Sequence, residues 1–192
     1  MTRYINNTIH QINNVPINKM VLSYYWDELS VMYQDFTKYE LSLSENILLD
    51  YNSIEKFKEL EELTKLLDPV FFANHSLDTQ LGFWFDDGKQ LSGGEWSKIA
   101  LLRALIRKSE FIILDEPTAA VDIYTKENIS QLLNMGKDNR ITLIITHDIN
   151  DIKFKSDKII FLDDGKVEAF GNLETVKRNK KFNDFIKSKT IS

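Results

Sequence analysis

Cysteine is absent from this 192-residue sequence, and glycine and proline are scarce, with 7 and 3 residues respectively. Without a thiol the chain forms no disulfide bond, no thiolate zinc site and no cysteine nucleophile. The first glycine is Gly82, and no stretch matches the phosphate-binding loop G-x-x-x-x-G-K-[ST]. The nearest approach runs from Gly82 to Gly88-Lys89-Gln90, but five residues intervene instead of four, and glutamine replaces the hydroxyl residue. A nucleotide-holding loop of that type is therefore excluded from these residues.

Long apolar runs are also lacking. No run approaches the roughly 18 residues of a transmembrane helix, and the polar N-terminus is unlike a signal peptide. The composition is 43% hydrophobic and 28% charged, with a net charge of −5, which argues against general nucleic-acid binding. We therefore expect one soluble domain with a sizeable core and no nucleic-acid partner.

The motif LSGGE begins the most informative part of the chain. Ser92 and Glu95 have the spacing of a capping box, which predicts a helix that begins here and ends near Arg107. Gly93 and Gly94 have no side chain to obstruct a ligand. The first free N–H groups of the helix and the positive end of its dipole are then open to an anion.

The apolar run FIIL leads directly into two carboxylates, Asp115 and Glu116. Four apolar residues predict a strand that is buried on both faces, and Pro117 ends it because proline lacks an N–H. A carboxylate at the edge of an apolar core requires a cation or a donor. Asp115 is a candidate ligand of Mg²⁺, directly or through water. Glu116 is a candidate for orienting or deprotonating an attacking water.

In this order and at this spacing, the motifs resemble the nucleotide-binding domain of an ABC transporter. LSGGE resembles the signature loop of that family, FIILDE its Walker B strand, and Ala119-Ala120-Val121-Asp122 its D-loop. The resemblance implies ATP and Mg²⁺ as cofactors. The residues that it implies as contacts of the nucleotide are Ser92, Gly93, Gly94, Glu95 and Asp122. The competing interpretation is a capped helix followed by an ordinary core strand.

Two further residues match catalytic positions of the family. Gln34 follows the short strand SVMYQ and resembles the Q-loop glutamine, which touches Mg²⁺ or the attacking water and links the site to a membrane domain. The surrounding string YQDFTKYELSLSENI is similar to that of exporters of lantibiotic-type peptides. His147 follows the strand RITLIIT, also predicted to be buried on both faces, and resembles the switch histidine, which contacts the γ-phosphate. The plainer alternatives are a loop glutamine and a structural histidine.

The implied fold is α/β, a partial P-loop NTPase (RecA-like) core with a mostly parallel sheet and an inserted helical subdomain. We expect a single partial domain over residues 1–192. Residues 1–43 are expected to form core with the Q-loop, 44–108 the helical subdomain that ends in the signature helix, and 109–192 core with the Walker B strand, D-loop and H-loop.

Local patterns predict several further elements. Near the N-terminus they are an edge hairpin within residues 1–22 with a turn at Asn13-Asn14, and a short helix in which Tyr24-Tyr25-Trp26 pack rather than stack on adenine. In the middle of the chain they are a capping box at Ser42 and Glu45, an amphipathic helix from Ser53 to Leu67, and a helix from Asp122 to about Met135. Toward the C-terminus they are a hairpin over residues 158–170 with a type I′ turn at its Asp-Gly pair, and helices with Phe182, Phe185 and Ile186 on one side. The segment of residues 79–85, which contains three aromatic residues, has two interpretations, a contact for coupling helices of a membrane domain and a core cluster.

The resemblance implies an ATP-binding, ATP-hydrolysing subunit or fragment of an ABC exporter that couples hydrolysis to the transport of a lantibiotic-like peptide. Its implied partners are the transmembrane domain of the exporter and a second nucleotide-binding domain, in a homo- or heterodimer. Its implied location is the cytoplasmic face of the cell membrane, reached through the membrane domain.

The phosphate loop of the family lies upstream of the Q-loop, so we expect this chain to be an N-terminally truncated member. By itself it should bind ATP weakly and hydrolyse it negligibly. The alternatives are a non-catalytic domain that lends its signature loop to a partner ATPase domain, and a decayed fragment without activity. A fragment of a DNA-repair or cohesin-type head fits poorly, because no heptad run divides the Q-loop from the signature.

Overall fold

A computed structural model describes most of the chain. The described residues are 11–12, 15–16, 19, 21–49, 54–135, 140–153 and 156–190. Two short strands, β1 (Gln11–Ile12) and β2 (Val15–Pro16), pair antiparallel and confirm the N-terminal hairpin. The predicted turn at Asn13-Asn14 lies outside the described residues.

A parallel three-stranded sheet lies at the centre of the fold. It comprises β3 (Leu29–Met32), β4 (Phe111–Asp115) and β5 (Ile141–Ile145), in the order β3-β4-β5. The register pairs Val31 with Ile113, and Ile113 with Leu143. Because the carboxyl ends of parallel strands meet at one edge of a sheet, the residues that follow these three strands are brought to a common edge.

Eight α-helices are formed by the described residues. Their bounds are α1 (Leu22–Asp27), α2 (Leu43–Leu48), α3 (Ile54–Leu67), α4 (Pro69–Asn74), α5 (Gly93–Leu105), α6 (Ile123–Met135), α7 (Leu173–Val176) and α8 (Lys180–Thr190), with a 3-10 helix at Ile149–Lys153 between β5 and the last strands. In the part of the chain that the structure describes, no helix combines the length and the apolar character needed to cross a bilayer.

One apolar core joins the helices to the sheet. Its fully buried side chains include Leu43, Ile47, Leu60, Ile99, Leu102, Ile112 and Leu114. Both predicted capping boxes are confirmed at the starts of α2 and α5, where a serine Oγ accepts from the N–H three residues on and the glutamate Oε2 accepts from the serine N–H at 2.7 Å. The α/β class with a parallel sheet and a helical layer is likewise confirmed.

The prediction that two strands are buried on both faces is wrong for β5 and only half right for β4. In β4, Ile112 and Leu114 are fully buried, but Phe111 and Ile113 are half-buried. In β5, Ile141 remains 69% exposed, and its neighbours on the same face are also exposed. Exposed and half-buried residues alternate along β5, so this strand has packed neighbours on one face only.

The short helix α1 forms as predicted, and Trp26 lies partly exposed on it. Its side chain is 54% exposed, while its carbonyl accepts from an Nη2–H of Arg107 at 3.2 Å. The side chains of Tyr24 and Tyr25 lie outside those that the structure describes.

The C-terminal hairpin is confirmed. It is formed by β6 (Ile159–Asp163) and β7 (Lys166–Gly171), and both turn residues have positive φ, 49° at Asp164 and 71° at Gly165, as a type I′ turn requires. Phe182 of α8 is buried with its ring centroid 5.3 Å from that of Phe161, which anchors the last helix to this hairpin.

Candidate functional site

The N-terminus of α5 is open to solvent. Ser92 is exposed at the helix start, and its Oγ accepts from Glu95 N–H at 3.3 Å, so the hydroxyl proton is still available to donate. A Cβ added at Gly93 would meet nothing within 4 Å, which leaves the first turn open. Glu95 is half-buried, and its Oε2 accepts from Ser92 N–H, so this carboxylate shapes the helix start. Its predicted contact with nucleotide stays a prediction.

Gly94 holds the signature helix against the D-loop. A Cβ at this position would lie 2.3 Å from the carbonyl oxygen of Ala120, far inside van der Waals contact. Only glycine permits this approach of two backbone segments. The two glycines of the motif therefore have different tasks: Gly93 leaves open space and Gly94 permits a close contact.

Asp122 ends the D-loop and caps α6. Its Oδ1 accepts from Thr125 N–H at 2.9 Å, and its Oδ2 accepts from Thr125 Oγ1–H at 2.7 Å. The hydrogen bond from Thr125 N–H is the main reason that the pKa of Asp122 lies below its ordinary value. The predicted cap is confirmed, and the predicted contact of Asp122 with nucleotide stays a prediction.

Glu116 and His147 meet at the carboxyl end of the sheet. Glu116 Oε1 lies 2.5 Å from His147 Nδ1 and also accepts from His147 N–H at 3.1 Å. In the tautomer with its proton on Nδ1, the ring donates to this oxygen and Nε2 is the outward nitrogen. Because the side chain of His147 is 67% exposed and that of Glu116 is 12% exposed, the pair joins a buried carboxylate to a solvent-facing ring.

The backbone and one oxygen of Glu116 are unusual. Its φ is 52°, the left-handed region that costs free energy for a residue with a Cβ. Its N–H donates to Ile145 O at 2.9 Å and extends the sheet. Its Oε2 is buried without a hydrogen-bond partner among the described residues. A strained residue with an unsatisfied buried acceptor is consistent with the predicted role of orienting or deprotonating a water.

Asp115 and Gln34 were predicted to hold Mg²⁺. The register pairs Met32 with Leu114, so Asp115, the last residue of β4, and Gln34, two residues after β3, lie at neighbouring strand ends. The described residues contain no group of three or more His, Asp or Glu side chains that could hold a metal by itself. Mg²⁺ commonly takes one or two protein oxygens and completes its shell with phosphate and water. One carboxylate and one amide oxygen fit that chemistry, so both residues stay predicted ligands.

A salt bridge that the sequence did not suggest fixes the loop after β5. Lys126 of α6 lies 2.6 Å from Oδ2 of Asp148, the residue after His147, and both side chains are about three-quarters buried. The hydrogen bond from Lys126 is the main cause that lowers the pKa of Asp148 from its ordinary value. The helix after the D-loop is thereby tied to the segment that carries His147.

Arg103 of α5 ties the segment after Gln34 to the signature helix. Its guanidinium donates to Asn46 O at 2.8 Å and to Thr37 O at 3.0 Å, and it lies 4.9 Å from the ring centroid of Tyr39. Asn46 is fully buried and donates back to Tyr39 O at 2.9 Å. Sequence reasoning missed this contact because Arg103 and its partners lie more than 50 residues apart, where no periodicity connects them.

The loop before α5 exposes three aromatic side chains. Phe83, Trp84 and Phe85 are 83%, 84% and 44% exposed, which excludes the interpretation of a core cluster. The loop is nevertheless held in place, because Glu40 Oε2 accepts from Trp84 N–H at 3.0 Å and the Glu40 side chain fills the space beside Gly82. We call residues 83–85 the aromatic loop.

Comparisons with known proteins agree with this geometry. Residues 2–119 match the family model described as ABC transporter. The chain is 39% identical over 170 residues to the subtilin transport ATP-binding protein SpaT of Bacillus subtilis, covering 85% of this chain and 27% of that protein. It is 38% identical over 176 residues to the nisin transport ATP-binding protein NisT of Lactococcus lactis subsp. lactis, covering 88% and 29%. The chain thus spans less than a third of the length of these curated relatives.

A solved structure has the same fold. It is a bacterial Atm1-family ABC exporter with ATP bound, superposed with a TM-score of 0.79 at 23% identity, and the match covers 94% of this chain and 32% of that one. At this level of identity the likeness establishes the fold, and it agrees with the P-loop NTPase core expected from the sequence.

Proposed function

Because the chain belongs to the ABC transporter family, we propose that it acts as the ATP-binding part of an ABC exporter. In this role, ATP hydrolysis drives transport through a membrane domain. The observation that carries the proposal is the arrangement at the sheet edge: Glu116 contacts His147, while Gly94 packs the signature helix against the D-loop. These are groups that act on a nucleotide.

The groups have distinct roles in the proposed site. The open first turn at Ser92 and Gly93 binds the γ-phosphate of ATP held by a partner domain. Glu116 orients the attacking water, and the outward Nε2 of His147 contacts the γ-phosphate. When bound with ATP, Mg²⁺ neutralises phosphate charge, and Asp115 and Gln34 would hold it. The units 1–43, 44–108 and 109–192 then correspond to core, helical subdomain and core.

We further propose a lantibiotic-like peptide as the cargo. This step is supported by the names of the relatives, which are subtilin and nisin transport proteins. The partners are the transmembrane domain of an exporter and a second nucleotide-binding domain, and the chain acts at the cytoplasmic face of the membrane. Transport assays with labelled peptides in vesicles would test the cargo separately from ATP chemistry.

A binding role is the second candidate. The sequence contains no G-x-x-x-x-G-K-[ST] motif, and the open first turn at Ser92 and Gly93 is the part of the site that could contact ATP held by a partner. The chain would then lend its signature helix to a complete ATPase domain. Clear saturable ATP hydrolysis by the pure chain, abolished in Glu116→Gln, would exclude this candidate.

The central test is association with a complete nucleotide-binding domain of this family. We expect the full chain to form a heterodimer that depends on ATP, measured by sedimentation velocity. A Ser92→Asp variant keeps a good N-cap, so its thermal unfolding should be unchanged. Its carboxylate faces the phosphate, and the loss of a charge-assisted hydrogen bond should weaken association by about tenfold or more.

Ser156→Asp adds the same charge at an exposed residue that is not assigned to the site and serves as the matched control. ATP-dependent association that is equal in the Ser92→Asp and Ser156→Asp proteins would refute the proposal. A Glu116→Gln protein should still associate, because the change leaves the signature helix intact, but the pair should hydrolyse less ATP if Glu116 orients the water.

We propose the aromatic loop as the contact for the membrane domain. Its three side chains are exposed although the backbone is fixed, as expected of a surface that a partner covers. Replacing Phe83, Trp84 and Phe85 by alanine should abolish co-purification with the membrane domain of a related peptide exporter, because aromatic anchors dominate such interfaces. ATP-dependent association with the partner domain should persist.

A matched control removes three other exposed apolar side chains, Ile160, Leu162 and Val167 of the C-terminal hairpin. Both triple variants delete apolar surface, but only the change in the aromatic loop is expected to release the membrane domain. Equal release by the two variants would argue against a specific contact.

A further inference from the structure

A buried carboxylate lies behind the Glu116–His147 pair. Asp151, in the 3-10 helix after β5, is 4% exposed. Its Oδ2 accepts from Thr118 Oγ1–H at 2.6 Å and from Thr146 Oγ1–H at 2.7 Å. Its Oδ1 is buried with no hydrogen-bond partner among the described residues. No salt bridge to Asp151 is formed within the described part of the chain, and the two side-chain donors that reach it there are neutral hydroxyl groups.

The two threonines lie in the two segments that carry Glu116 and His147. Thr118 is fully buried and lies two residues after Glu116. Thr146 directly precedes His147, and its Oγ1 also accepts from Asp148 N–H at 3.0 Å. A single oxygen atom of Asp151 therefore joins the segment after β4 to the segment after β5.

A buried, half-satisfied carboxylate is costly, and an apolar residue of similar size would avoid that cost. What Asp151 supplies instead is a fixed distance between two backbone segments. That distance matters at this place, because Glu116 has a strained backbone and the exposed His147 ring is otherwise held by its contact with Glu116.

We propose that Asp151 is a positioning residue that holds Glu116 and His147 in contact through the hydroxyl groups of Thr118 and Thr146. Its importance for hydrolysis rests on the function proposed above, whereas its effect on the geometry of the pair does not. Loss of either hydroxyl group lets the two strand ends separate, and the imidazole then turns into solvent.

The test uses two replacements of one buried residue in the full chain. Thr118→Val keeps the shape of the side chain and removes the hydroxyl, while Thr118→Ser keeps the hydroxyl and removes a methyl group. The readout is the ¹⁵N chemical shift of the ring nitrogens of His147 without nucleotide. A Glu116→Ala protein supplies the shift of a ring without its partner.

His75 provides an internal control, because its ring lies in the helical layer and its Nδ1 contacts Phe71 O at 2.9 Å. We expect Thr118→Val to move the His147 signals toward those of Glu116→Ala and to leave His75 unchanged, and Thr118→Ser to resemble the original protein. Unchanged His147 signals in Thr118→Val overturn the proposal. Equal movement of the His147 and His75 signals also overturns it, because the effect would then be a general loosening.

A second measurement separates this inference from the proposed function. In the assembled pair with a complete partner domain, Thr118→Val should lower kcat by about tenfold to a hundredfold, as expected for a misplaced catalytic group, with KM for ATP little changed. A pair that fails to hydrolyse ATP even with the original chain refutes the catalytic function alone, and the ring signals still decide whether Asp151 positions His147.

Discussion

Replacement of Gly94 by alanine is expected to destabilise the chain, whereas the same replacement at Gly93 is not. Both residues lie in the first turn of α5, where alanine has the better helix propensity by roughly 0.5–1 kcal/mol. At Gly94 the new Cβ would lie 2.3 Å from Ala120 O, and a backbone atom cannot turn aside as a flexible side chain does. The signature helix or the D-loop has to move.

Overpacking of this kind typically costs about 1–3 kcal/mol. For a chain of this length, each 1 kcal/mol lowers Tm by about 2–4 °C. We therefore expect Gly94→Ala to lower Tm by several degrees relative to Gly93→Ala in parallel thermal unfolding followed by circular dichroism. Equal Tm values for the two variants, or a lower value for Gly93→Ala, would contradict the close contact between the signature helix and the D-loop.

The same pair of variants separates folding from ligand binding. Gly93→Ala leaves the fold intact but fills part of the open space in front of the helix N-terminus, so it should weaken ATP-dependent association with a partner domain. Gly94→Ala displaces the helix and the D-loop together, so it should lower both the stability of the fold and the ATP-dependent association with a partner domain. The two glycines are adjacent in sequence, yet their replacements have different physical consequences.

Structural features that depend on neighbouring residues could be predicted from the sequence alone. The capping boxes at Ser42 and Ser92 and the Asp-Gly turn depend on residues three or fewer apart, and all three form. The positions of Glu116 and His147 were also predictable, since each follows an apolar strand and parallel strands present their carboxyl ends together. Local hydrogen bonding and strand patterns are sufficient for predictions of this kind.

Features that depend on distant parts of the chain could not be predicted from the sequence. A largely apolar strand sequence does not show which elements will cover each face of the strand, and so the burial of β5 was mispredicted. The bridge from Asp151 to Thr118 spans 33 residues and follows no period. The aromatic loop was left between core and surface, because its sequence does not reveal that Glu40 fixes it outward.

One buried ion pair did leave a signal in the sequence. Lys98 lies on the same stripe of α5 as Leu101, Leu102 and Leu105, at spacings of three, four and seven residues. A charged residue within an apolar stripe requires a partner. The structure supplies it as Asp68, whose Oδ2 lies 2.5 Å from Lys98 Nζ.

Replacement of Lys98 by methionine is expected to be the most destabilising change among those considered. The side chains of Lys98 and Asp68 are only 9% and 12% exposed, and Asp68 Oδ1 also accepts from Phe71 N–H at 2.9 Å, at the start of α4. Removal of one partner from a buried pair leaves an uncompensated charge and typically costs about 3–5 kcal/mol. Urea unfolding at neutral pH would measure this cost.

Two comparisons test whether the broken ion pair causes the loss of stability in Lys98→Met. Lys177→Met removes a lysine from an exposed pair with Glu174 and should cost less than about 1 kcal/mol. Asp68→Asn combined with Lys98→Met removes both charges but keeps an oxygen for Phe71 N–H, so the double variant should regain part of the stability that Lys98→Met loses. If Lys98→Met costs no more than Lys177→Met, the pair does not anchor α5. If Lys98→Met costs several times more, two contacts hold the signature helix: Gly94 against the D-loop at its N-terminus, and Lys98 with Asp68 at the start of α4 one turn later. The open end of the helix then keeps a fixed orientation toward the nucleotide of a partner domain.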